Sequence, residues 1–255
     1  MLRIWAESVQ STGTDAATPS GTEWARRSGL WARVARRAFR ARFAMLHARR
    51  HGRLDLARIG ELRLVVLPSV FHPEFFFATA FFLRQIERLQ LPDGARALDM
   101  GTGSGAIAVV LAKRGAIVTA VDLNPAAARC AQINAMIHDV EGRMQVLEGD
   151  LFEPLAGARF ELIAFNPPFY DRPARDMTDR AWAGGTDQQT LRRFLALAPS
   201  HLLPGGRILI GASTEAPYTA WLRHAPGYHV RLIGQQELVG ERLFLFSLQP
   251  YGTGG

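Results

Sequence analysis

Cysteine and lysine are almost missing from this 255-residue chain. The single cysteine, Cys130, excludes a disulfide framework or a cysteine-based metal site within one chain, and core packing is its plain reading. A reducing cytoplasm is the expected location. Lysine occurs once, as Lys113, among 30 basic residues, so the basicity is arginine. Long apolar runs are missing too. Phe75 to Leu83 is intensely apolar, but it is bounded by Glu74 and Arg84 and falls short of the ~18 residues of a membrane span. Its expected role is a buried helix. The first 23 residues lack a continuous apolar stretch and carry Glu7, Asp15 and Glu23, which argues for a mobile tail rather than a signal or transit peptide. The seven histidines form no ligand spacing, so no metal is expected, and no Ser/His/Asp set can be assembled.

What charge there is lies unevenly. The formal net charge is +7, but residues 24–58 hold 11 Arg against one acid, Asp55, while residues 1–23 sum to −2, which leaves −1 for the rest. Trp31, Val34, Ala35, Ala38, Phe39, Met45 and Leu46 recur at helical spacing, with Arg33, Arg36, Arg37 and Arg40 on the other side. Such a helix can dock its apolar stripe on a neighbouring domain, grip phosphates through the Arg26 to Arg58 region, or lie on an acidic membrane surface. The expected organisation is a tail at 1–23, an Arg-rich helical extension with a short strand at 24–70, and one catalytic domain at 71–255.

Strand-like runs at 96–100, 116–121, 144–148, 160–165, 207–212, 229–234 and 242–248 alternate with helical patterns at 106–114, 125–138, 187–202 and 215–224. Apolar strands separated by helices indicate a doubly wound α/β fold with a mainly parallel seven-stranded sheet. The short connection from Gln235 to Glu241 reads as a hairpin, which makes the last strand antiparallel.

Four expected strand ends carry candidate chemistry. The first is Leu98-Asp99-Met100-Gly101-Thr102-Gly103-Ser104-Gly105, where glycines let a ligand approach the backbone and the following helix amino terminus attracts an anionic group. Gly101, Gly103 and Ala106 fit a dinucleotide fingerprint, and Asp122, followed by Leu123, lies roughly 20 residues on, where an acid holds ribose hydroxyls. NAD and S-adenosyl-L-methionine are both readings of that spacing. Asp99 favours the second, because a carboxylate would face the pyrophosphate of NAD but attract the ammonium of a methionine moiety. At the third end, Asp150 can accept from an adenine amino group while Leu151 covers the ring. The fourth is Asn166-Pro167-Pro168-Phe169. An Asn oxygen and a backbone carbonyl fixed by the next proline can accept both hydrogens of a planar amino group, with an aromatic ring to stack on it. As a bare tetrapeptide it also reads as a strand ending in a turn.

Together these motifs resemble the class I S-adenosylmethionine-dependent methyltransferases, and among them the branch typified by release-factor glutamine N5-methyltransferases (HemK/PrmC-like). The resemblance runs from about Phe71 to Ala212. It rests on Asp99 to Gly105, Asp122, Asp150-Leu151, Asn166 to Phe169, Ala183-Gly184-Gly185-Thr186-Asp187 and Leu203-Pro204-Gly205-Gly206-Arg207-Ile208. It implies a Rossmann-like fold, ribose binding by Asp122, adenine binding by Asp150, and an amino group held by Asn166 and Pro167. The implied acceptor is a protein glutamine or the exocyclic amino group of a nucleobase in RNA or DNA. A small-molecule nitrogen acceptor and a non-catalytic binding module are the alternatives. The chain has Phe169 where the glutamine methyltransferases usually have Tyr. Ahead of the cofactor loop, only Pro73 and a displaced Thr79 match that branch's Pro-Arg-Pro segment and the Thr-Glu after it.

Overall fold

The computed structural model describes residues 52–73, 77–238 and 241–252. The expected tail at 1–23 and the amphipathic stretch from Trp31 to Leu46 lie outside the described residues. The first described elements are β1 (Asp55–Ile59) and β2 (Leu62–Val66), an antiparallel hairpin in place of the one short strand expected there. Gly60 at φ 58 turns the chain between them. Helix α1 (Phe77–Glu87) follows and buries Phe81, Phe82, Leu83 and Ile86, as the apolar run predicts.

From there strands and helices alternate: β3 (Arg96–Met100), α2 (Ala106–Lys113), β4 (Ile117–Asp122), α3 (Pro125–Ile137), β5 (Met144–Glu148), β6 (Phe160–Phe165), α4 (Gln189–Leu197), β7 (Leu202–Ser213), α5 (Thr219–Leu222), β8 (Tyr228–Leu238) and β9 (Glu241–Pro250). The seven-stranded sheet has the order β5-β4-β3-β6-β7-β9-β8. Every pairing from β5 to β7 is parallel, and β9 runs antiparallel to both β7 and β8, as expected of the hairpin.

Period-two alternation divides the strands between two cores, one on each face of the sheet. Ala97, Ala164 and Leu209 pack under α1, α2 and α3. Leu98, Ile163, Phe165, Ile208 and Ile210 pack under α4 and α5, where Phe194 wedges between Phe165 and Phe152 with ring centroids 4.5 and 5.3 Å away. The hairpin belongs to the first core through Leu62, Leu64 and Val66. Buried Asn134 on α3 ties it down, accepting from the Val65 N–H and donating to the carbonyls of Val65 and Ser104, each at 2.8 Å.

Two expected helices are shorter than their patterns. The 187–202 pattern yields α4 and then a 3-10 turn at Ala198–His201, because Pro199 supplies no N–H to continue an α ladder. In the 215–224 pattern only Thr219–Leu222 is α-helical. Pro217 precedes it, and Thr219 Oγ1 donates to the Ser213 carbonyl at 2.6 Å, drawing the chain into a turn.

Candidate active site

From β3 the chain winds outward through β4 and β5, then crosses back to β6 on the other side of β3. The strand order reverses between β3 and β6, and at the carboxyl ends of such a pair open α/β sheets bind ligands. Met100 and Phe165 are register partners there, so Gly101 and Asn166 leave the sheet side by side. A cleft of about 450 Å³ opens at this edge. It is lined by Gly101, Thr102 and Gly103 after β3, Asp122 and Leu123 at the end of β4, Asp150 and Leu151 beyond β5, and Asn166 to Phe169 after β6.

The loop after β3 is held from below. Asp99 is 1% exposed; its Oδ2 accepts from Thr102 Oγ1 at 2.6 Å and from the Ala108 N–H at 3.0 Å. Burial pushes this carboxyl up to about 7; the two hydrogen bonds oppose the rise and the neighbouring Asp122 adds to it. Sequence reasoning puts Asp99 and Gly105 in the cofactor site, but neither lines the cleft. Asp99 is spent on the loop and on the first turn of α2. Gly105 packs α2 against α3: it sits at φ +82, and a Cβ there would lie 3.0 Å from Ala131 Cα.

Asp122 is different. Its Oδ2 accepts from the Gly103 N–H and its Oδ1 from the Asn124 N–H, both at 2.8 Å, and burial again raises its pKa. Asp122 itself lines the cleft. Asp150 Oδ2 accepts from Arg193 Nη1 at 2.9 Å. Arg193 is a cleft residue that sequence reasoning missed, since its signal is only the i, i+4 spacing with Gln189 on the polar face of α4.

Asn166 stands on the acceptor side. Its Oδ1 is buried and has no hydrogen-bond partner among the described residues. The side chain lies over β7, where a Cβ on Gly211 would meet Asn166 Oδ1 at 2.7 Å and the Phe82 ring of α1 at 3.2 Å. Gly211 therefore leaves room for this amide. Phe169 stacks on Tyr218 with centroids 6.5 Å apart, and buried Tyr218 donates to the Gly211 carbonyl at 3.1 Å. Tyr218 was also missed; in sequence it is one tyrosine in a short turn. Beyond Phe169 the segment to Gly185 is closed by the Tyr170 N–H on the Trp182 carbonyl at 2.7 Å and by Arg172 on both carboxylate oxygens of Asp179 at 2.5 and 2.7 Å. Those bonds hold the Asp179 carboxyl down at about 2.

A cleft lined by Asn166 and by the carboxylates of Asp122 and Asp150 narrows what the site belongs to. The family described as Methyltransferase small domain matches residues 61–237. The chain belongs to that family. Its relatives include a ribosomal RNA small subunit methyltransferase C of Alcanivorax borkumensis, 34% identical over 66% of this chain and 47% of that protein. A release factor glutamine methyltransferase of Geobacter sulfurreducens is 38% identical over 58% of this chain and 55% of its own length. The chain thus spans about half the length of these relatives. Among solved structures, ribosomal protein L11 methylase from Lactobacillus delbrueckii subsp. bulgaricus shares the fold, with a TM-score of 0.55 at 16% identity over 76% of this chain and 98% of that one. In this family setting the motifs at all four strand ends meet in one place. Asp99 and Gly105 support the loop, and the remaining candidates line the cleft.

Proposed function

We propose that this methyltransferase transfers a methyl group from S-adenosyl-L-methionine to a planar amide or amino nitrogen, either a protein glutamine side chain or an exocyclic amino group of a nucleobase. The observation that carries this is the buried Asn166 Oδ1 at the sheet's switch point, which has no hydrogen-bond partner among the described residues. A buried acceptor without a donor costs about 1–3 kcal/mol, a cost an incoming N–H group removes. Asn166 Oδ1 takes one N–H and the Pro167 carbonyl the other, while Phe169, seated on Tyr218, stacks on the plane of the group. With both hydrogens held, the nitrogen lone pair is turned out of that plane.

The residues present fit the cofactor. Asp122 suits the ribose diol, Asp150 with Leu151 the adenine, and the Gly101 to Gly103 backbone leaves space for the rest. Bound there, S-adenosyl-L-methionine supplies an electrophilic methyl on a sulfonium. Positioning and desolvation carry the chemistry, and no general base is needed before transfer.

The partner on this reading is a protein or nucleic acid bearing the acceptor, with residues 71–255 as the methyltransferase domain, 24–70 as an extension and 1–23 as a tail. The arginines from Arg26 to Arg58 suit contact with nucleic acid. A cytoplasmic location agrees with the one buried cysteine, and no helix among the described residues is long and apolar enough to cross a membrane. The test is titration with S-adenosylhomocysteine and NAD, followed by transfer of tritiated methyl to cell extract. Binding of the first ligand and label in protein or RNA support the proposal, and tight NAD binding alone sinks it.

A further inference from the structure

The Asp150 to Arg193 pair is poorly placed to stabilise the fold. The side chains are 28% and 45% exposed, and exposed ion pairs contribute about 0–1 kcal/mol. Yet the backbone beside Asp150 is constrained. Leu151, the next residue, is buried with φ 51, a left-handed conformation that a leucine adopts only under constraint from its surroundings. On the other side, α4 is anchored by Leu191, Phe194 and Leu195 in the core, so that Gln189, Thr190 and Arg193 form its cleft face. One turn of this helix therefore joins the acceptor end, where the Thr190 N–H donates to the Gly184 carbonyl at 2.9 Å, to the Asp150 end.

We propose that Arg193 is a positioning residue that makes the site selective for a 6-aminopurine. The inference rests on the reading of Asp150 as the adenine contact. By occupying Oδ2 of this cleft-lining residue, the guanidinium fixes the rotation of the carboxylate and leaves Oδ1 to accept from a ligand. A purine with an amino group at position 6 donates to that oxygen. A 6-oxo purine places its own acceptor against it and is repelled. Without Arg193 the carboxylate is free to rotate into water, and the discrimination is lost even though Asp150 is still present.

The test is calorimetric titration of the full chain with S-adenosylhomocysteine and S-inosylhomocysteine. The wild type is expected to prefer the adenosyl ligand by at least about tenfold, as a site built around one hydrogen bond does. Arg193→Met, which keeps the aliphatic stem, should bring the two affinities within about threefold with little change in Tm. Arg193→Lys, with charge but no planar fork, should fall between. An unchanged preference in Arg193→Met, with Asp150→Ala abolishing it, overturns the role of Arg193 and leaves the cofactor reading intact. A loss of Tm beyond about 5 °C would make Arg193 a structural residue and overturn the inference as well. Failure of the wild type to bind either ligand overturns the cofactor reading itself.

Discussion

Asp99 is a buried carboxylate near the end of β3 and Asn166 a half-buried amide just after β6, and they differ in what they touch. Asp99 Oδ2 is held by Thr102 and Ala108, whereas Asn166 Oδ1 has no hydrogen-bond partner among the described residues. Replacing Asn166 by Ala should lower kcat by about 10²-fold or more, the usual cost of losing one preorganised polar contact to the reacting group. Affinity for S-adenosylhomocysteine should stay within about threefold, as measured by steady-state methyl transfer beside calorimetry. Asp99 governs stability instead. Its folded pKa of about 7 lies above the ordinary carboxylate value, so the native state holds a proton that the unfolded chain has released. The contribution is therefore fully present below about pH 4 and is lost as pH rises through about 7. Tm measured across pH 5–8 should slope downward, and Asp99→Asn should flatten that slope. A slope that survives the substitution would place its origin elsewhere.

The strands and the cleft residues at their ends were legible because period and punctuation agree. β3, β5 and β6 fall where apolar runs meet the Asp-x-Gly-x-Gly, Gly-Asp and Asn-Pro-Pro signals. Helix ends were less legible where proline overrode periodicity, as at Pro199 and Pro217. Contacts between elements far apart in the chain left no sequence signal. Arg193 reaches Asp150 across 43 residues, and Asn134 binds Val65 across 69. Asn134→Ala would strand the Val65 N–H and the Ser104 carbonyl, while the Val65 carbonyl keeps Cys130 Sγ at 3.1 Å, and should cost about 2–4 kcal/mol in denaturant unfolding. Gly105→Ala forces a Cβ against Ala131 at φ +82 and should cost about 1–3 kcal/mol, read as a lower Tm. A neutral result there would show that α2 and α3 can move apart freely.

Across the whole molecule, the sheet brings four distant segments to one edge, and the two cores keep them there. The first core, under α1 to α3, carries the hairpin and the start of α2 after the glycine loop. The second, under α4 and α5, carries Tyr218 below Phe169 and presents Arg193 to Asp150. The cleft is thus held from both faces of the sheet: α1 brings Phe82 to Gly211 beside Asn166, while α4 and α5 bring Arg193 and Tyr218 from the other face, where the strand order reverses. The most direct test of the central claim is to incubate the full chain with methyl-labelled S-adenosyl-L-methionine and cell extract, then locate the label by mass spectrometry. The account predicts a methyl group on an amide or exocyclic amino nitrogen, absent when Asn166→Ala replaces the wild type. Label on carbon or oxygen, or equal labelling by Asn166→Ala, would contradict it.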